Sequence, residues 1–118
     1  MNRAELGRIG ERCAQWYYRL HGYRILARNS RVRGGELDLV ARRGKTVVFA
    51  EVKTRSSCER SQPCEAVGAA KQRRVILAAQ SYMTRFSDDP FFRFDVVEVY
   101  ADSFPFRVRC IKDAFQLE

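Results

Sequence analysis

Histidine and paired cysteine are what this chain has least of. There is one histidine, His21, and the four cysteines, Cys13, Cys58, Cys64 and Cys110, are scattered with no Cys-x-x-Cys among them. That spacing argues against a structural zinc site and against a redox dithiol. No apolar stretch approaches the eighteen or so residues of a membrane span, and Met1-Asn2-Arg3-Ala4-Glu5 lacks the apolar core of a secretory signal. A cytoplasmic protein with no membrane partner is therefore expected, with Cys13 and Cys110 as small core side chains in a reducing compartment. Acid is scarce as well, and unevenly so. Residues 1–60 hold fourteen Lys and Arg against six acids, whereas residues 61–118 hold eight of each, so the whole formal charge of +8 lies in the first half. Arg19, Arg24, Arg28, Arg31 and Arg33 follow one another with no intervening acid. Eighteen of the twenty-two bases are Arg, the side chain that forks two donors onto a phosphate. A polyanion is the natural partner; a solvated basic surface is the plainer alternative.

What is present organises as one domain, 1–118, long enough to bury a core without disulfides. Asn2 with Glu5 has the form of a capping box, and Leu6, Ile9, Cys13, Trp16, Tyr17 and Leu20 recur at helical spacing. These predict a helix from Arg3 to His21, with Trp16 and Tyr17 in the core and His21 as a cap. Tyr23 to Arg28 predicts a short strand. Two apolar runs, 35–41 and 46–54, predict a hairpin, and a polar loop follows at 56–63. A second helix is expected over 64–86, then strands over 92–100 and 106–111. The order is helix, three strands, helix, two strands (α-β-β-β-α-β-β), an α/β fold with a mixed central sheet flanked by helices.

The hairpin carries the chemistry. A two-residue loop with Gly44 first suits a type II′ turn and pairs Arg43 with Thr46. Counting back, Asp38 falls opposite Glu51 and Glu36 opposite Lys53, while alternation puts Glu51 and Lys53 on one face. Two acids brought together need a cation or a proton between them. Their carboxylates and the Val52 carbonyl are hard oxygen ligands of the kind Mg²⁺ or Mn²⁺ takes while keeping several waters. Lys53 would hold an attacking water or neutralise developing charge. Glu36 either joins this cluster or forms a structural ion pair with Lys53.

At these residues the chain resembles a known group. Asp38, Glu51-Val52-Lys53 and Glu11 match the first acid, the Glu-x-Lys and the first-helix acid of the restriction-endonuclease-like PD-(D/E)xK superfamily. More closely, Gly10-Glu11, Gly22-Tyr23, Arg28-Asn29, Gly35 to Ala41, Phe49 to Arg55 and Ile111 to Phe115 resemble the bacterial YraN-like family, which is similar to archaeal Holliday-junction resolvases. The resemblance spans nearly the whole chain. One departure is Leu37, where the superfamily carries proline. The resemblance implies a restriction-endonuclease-like fold and a Mg²⁺-dependent endodeoxyribonuclease acting on branched or structured DNA. Catalysis would fall to Asp38, Glu51, Lys53 and Glu11, with the metal on Asp38, Glu51 and Val52. Arg28, Arg31, Arg33, Arg55, Lys71 and Gln72 are the candidate DNA contacts, and two symmetric cuts at a junction would call for a homodimer. Two other classes fit the same residues: a nucleic-acid-binding module that does not cleave, and a basic protein-interaction domain.

Overall fold

The computed structural model describes residues 2–55, 68–101 and 104–116. Helix α1 spans Arg3–Leu20, strands β1, β2 and β3 span Arg24–Val32, Gly35–Arg43 and Thr46–Arg55, helix α2 spans Ala69–Met83, and β4 and β5 span Phe91–Tyr100 and Arg107–Phe115. The strands form one sheet in the order β1-β2-β3-β4-β5. All neighbours pair antiparallel except β3 and β4, which are parallel and joined through α2. This is the mixed, helix-flanked α/β architecture expected. The polar loop at 56–63 and the expected helix start at Cys64 lie outside the described residues.

The hairpin register is the one the turn chemistry dictates. Arg43 pairs with Thr46, and only the first loop residue, Gly44, has a positive φ, of 59°. Basic residues at this tip are spoken for: Arg42 and Lys45 both bind Asp88, and Arg43 donates to the His21 carbonyl at 2.9 Å. The first strand runs on past Arg28 to Val32, because a two-residue turn containing Gly34 (φ 80°) makes β1 and β2 a second hairpin.

Alternation along β3 divides the core in two. Val47 and Phe49 pack beneath α2 with Leu37, Val75, Ala78 and Phe94. Val48 and Ala50 pack beneath α1 with Ala14, Tyr18, Leu39 and Val97. The faces that the helices present differ from those expected. Two small residues, Gly10 and Ala14, turn α1 toward the sheet, with Tyr18 buried on the same face, and a Cβ on Gly10 would lie 1.9 Å from Thr54 Oγ1. Close approach there outweighs the larger apolar side chains, so Trp16 is 59% exposed and Leu20 lies outside. In α2 the buried stripe is Val75, Ala78, Ala79 and Tyr82, with Leu77 exposed. The predicted cap roles hold: Asn2 Oδ1 accepts from Glu5 N at 2.9 Å, and His21 closes the C-terminus of α1, its Nδ1 2.7 Å from the Tyr17 carbonyl.

Candidate functional site

The ladder between β2 and β3 runs from Arg43–Thr46 to Leu39–Ala50 and stops one pair short of Asp38 and Glu51. Leu37 and Leu39, two apart in one strand, enter different cores, so the side-chain alternation of β2 breaks at Asp38. The amide of Val52 is thereby left without its ladder partner. Asp38 Oδ2 takes it, accepting from Val52 N at 2.9 Å. A carboxylate in place of a backbone carbonyl satisfies that donor and holds Asp38 over the gap between the strands.

The gap opens into a cleft of about 500 Å³ lined by Arg3, Leu6, Gly7, Glu11, Asp38, Glu51, Val52, Thr54 and Arg55. The first turns of α1 form its roof because Gly10 lets that helix sit close on Thr54. Glu11, Asp38, Glu51 and Val52 thus share one cavity. Glu51 is 6% exposed, and its Oε2 is buried without a hydrogen-bond partner among the described residues. Burial first, and then the negative charge of Asp38, push its carboxyl up to about 8, with Lys71 acting in the opposite sense. Burial and Asp38 also raise Glu11, against a hydrogen bond with Asn29 and the charge of Arg28.

A cation beside Glu51 comes from an unexpected element. Lys71 Nζ lies 3.5 Å from Glu51 Oε1 and 2.6 Å from Glu36 Oε1. Burial works against this ammonium, but its hydrogen bond with Glu36 and the charges of Glu51, Glu36 and Asp38 outweigh it, and the net shift is upward. The same hydrogen bond and charge, aided by Arg74 and Arg31, hold Glu36 below the usual carboxylate range. Helix α2 reaches this position because Gly35 admits it: a Cβ there would stand 2.5 Å from the Arg74 carbonyl. Glu36 therefore pairs with Lys71, and the alternative of an ion pair with Lys53 is not realised; the ladder that would have brought Lys53 opposite it has already ended. The signal for Lys71 was helical spacing, since residues 71, 75, 78 and 82 form one stripe and an ionisable group on a buried stripe needs a partner.

Lys53 is half-buried on the Glu51 face of β3 and makes no ion pair or hydrogen bond among the described residues. Arg28, Arg31 and Arg33 are exposed on β1 and its turn, with Arg31 3.9 Å from Glu36. Arg55 lines the cleft while donating to buried Glu98 at 2.8 Å, and Gln72 is half-buried next to Lys71.

The family described as "Uncharacterised protein family UPF0102" matches residues 10–99. The chain belongs to this family. The UPF0102 protein of Desulforapulum autotrophicum is 44% identical over 114 residues, covering 96% of this chain and 94% of its own. That of Symbiobacterium thermophilum is 47% identical over 112 residues, covering 93% and 95%. That of Caldicellulosiruptor bescii is 41% identical over 119 residues, covering 98% and 100%. UPF0102 is the YraN-like, PD-(D/E)xK nuclease-like family whose motifs this chain carries, and the matched region holds every residue of the cleft except Arg3, Leu6 and Gly7.

Two further buried carboxylates were not foreseen. Asp95, fully buried, accepts from Tyr18 Oη at 2.7 Å, from Arg93 at 2.8 and 2.9 Å and from Asp113 N at 3.1 Å, and so ties α1 to β4 and β5. Burial and Asp95 push the Cys110 thiol up, and burial raises Cys13, so the environment of each works against the thiolate. Glu98 is the second, and it anchors a separate network with Arg55 and Tyr100.

Proposed function

We propose that this protein is a divalent-metal-dependent nuclease that hydrolyses phosphodiesters in DNA. The observation that carries the reading is the orphaned Glu51 Oε2, buried beside Asp38 in a cleft that also holds Glu11 and Val52. A buried, unpaired carboxylate oxygen is costly unless a proton or cation takes it up. Among the described residues no three His, Cys, Asp or Glu side chains could cage an ion by themselves. Two carboxylates with the Val52 carbonyl suit Mg²⁺ or Mn²⁺, which fill their remaining positions with water and phosphate oxygen. Bound there, the ion would supply a Lewis acid and a water of lowered pKa.

The chain's own groups do the rest. Asp38, fixed by the Val52 amide, and Glu51, fixed in the sheet, present their oxygens from a rigid frame. Lys71 lies against Glu51 in the metal-free protein, and Glu36 keeps Lys71 in place. Lys53, without an ion pair or hydrogen bond among the described residues and two residues from Glu51, neutralises charge that develops on the phosphate. Glu11 supplies a further carboxylate from the roof of the cleft. Arg28, Arg31 and Arg33 hold phosphates along the flank.

The test is cleavage by EDTA-stripped protein given Mg²⁺ or Mn²⁺, on linear, flapped and four-way DNA, beside Glu51→Gln. Metal-dependent cutting that the variant lacks supports the reading, and the preferred substrate reports whether branched DNA is the target. Salt-sensitive binding with no cutting under any metal would replace it with a non-catalytic nucleic-acid module.

A further inference from the structure

The face of β3 that carries Glu51 does not end at the cleft. Strand pairing continues it in two rows: Lys53, Glu98 and Arg109 stand side by side across β3, β4 and β5, and Arg55, Tyr100 and Arg107 form the next row. All six residues point to the side of the sheet on which α2 lies, since Thr54, Val99 and Val108 between them alternate to the α1 side. Helix α2 covers β1, β2 and β3. At β4 and β5 the rows border a second cleft, of about 610 Å³, lined by Tyr100, Arg107, Val108 and Arg109.

Glu98 organises this surface. It is 1% exposed, accepts from Arg55 Nε at 2.8 Å and from Tyr100 Oη at 3.2 Å, and lies 3.9 Å from Arg109. One buried carboxylate thus braces two arginines, one lining the metal-site cleft and one, 61% exposed, at the second cleft. The guanidinium of Arg107 lies 5.2 Å from the centroid of the Tyr100 ring. With Arg55, Arg107, Arg109 and Lys53 against Glu98 alone, the two rows carry a positive excess that the even charge balance of the second half of the sequence conceals.

We propose that Arg107 and Arg109 form a second phosphate-binding subsite, through which the nucleic-acid backbone leaves the metal site and crosses the sheet toward β5. The proposal rests on the nuclease reading and adds a direction to it. Two strand spacings separate β3 from β5, roughly 10 Å, which is the reach of about three base pairs at a rise of 3.4 Å each. Arg107 and Arg109 would therefore hold phosphates a few nucleotides from the reacting one. Glu98 is the positioning residue that sets Arg55 and Arg109.

The experiment measures duplex DNA affinity against salt, in a Glu51→Gln background so that no strand is cut. Arg107→Gln with Arg109→Gln is expected to reduce the log-log slope by about 0.9 for each phosphate no longer neutralised, and Arg107→Lys with Arg109→Lys to restore it, because binding to a phosphate follows charge. Arg24→Gln, at the far end of the sheet, leaves the slope unchanged. Should the double Gln variant fail to fold by circular dichroism, Arg107→Gln alone, which gives up the stacking on Tyr100, carries the test. A folded variant with the wild-type slope overturns the subsite while leaving the nuclease reading standing. A parent protein that binds no duplex, single-stranded or four-way DNA overturns both.

Discussion

Replacing Glu51 by Gln should stabilise the metal-free protein, by an amount that grows as pH rises from about 4.5 to about 8. Its carboxyl titrates at about 8 in the fold, against 4.5 for the free group, because burial and the neighbouring Asp38 oppose its ionisation. Between those values the folded state keeps a proton that the unfolded chain has released, so stability falls as pH rises through this window and levels off above it. At about 1.4 kcal/mol per pH unit, the span from pH 5.5 to 8.5 has a ceiling near 3 to 4 kcal/mol. Water entering the cleft relieves part of that, and about 2 kcal/mol is the expected effect, or roughly 8 °C in Tm for a domain of this size. Glutamine has the same shape and no charge. In EDTA, the Tm of Glu51→Gln minus that of wild type should grow by about this amount from pH 5.5 to 8.5, other titrating groups cancelling in the difference. Mn²⁺ should then stabilise wild type, by about 2.7 kcal/mol at a hundred times Kd, and leave the variant unmoved. A difference that stays flat with pH, or equal stabilisation of both proteins by Mn²⁺, would refute the claim that Glu51 awaits a cation.

Lys53→Met should leave Tm nearly unchanged, since the ammonium has no partner among the described residues to lose, while lowering the single-turnover cleavage rate by about 10²; cleavage at the wild-type rate would remove Lys53 from the chemistry. Gly10→Ala should cost about 1 to 3 kcal/mol in chemical denaturation, because its Cβ would overlap Thr54 Oγ1 and lift α1 off the sheet; an unchanged midpoint would show that the helix is not held at that approach. Tyr18→Phe, which takes one donor from fully buried Asp95, should cost about 1 to 3 kcal/mol by the same measurement.

The element order and the register of the β2–β3 hairpin, up to the pair before Asp38 and Glu51, were legible in the linear chain. Each follows from local rules: Gly44 accepts the positive φ that a two-residue loop needs, and a period of two then determines which residues face one another. Helix faces were less legible. Hydropathy put Trp16 inside, whereas packing favoured the small side chains of Gly10 and Ala14, which let the backbone approach the sheet. Size complementarity across an interface is not written in either partner alone.

Tertiary structure alone decided which charges meet. Lys71 is thirty-five residues from Glu36 and reaches it because α2 lies against Gly35. Asp38 bonds the Val52 amide only because the ladder has stopped one pair earlier. Arg55 and Glu98 stand in adjacent strands through a parallel pairing, which requires a long crossover and leaves no local trace in the sequence, and antiparallel β5 then sets Arg109 beside Glu98. Periodicity is a property of neighbours along the chain, and so it reveals strands, turns and faces. The pairing of buried charge depends on where distant elements come to rest, and that is settled by the packing of the whole molecule.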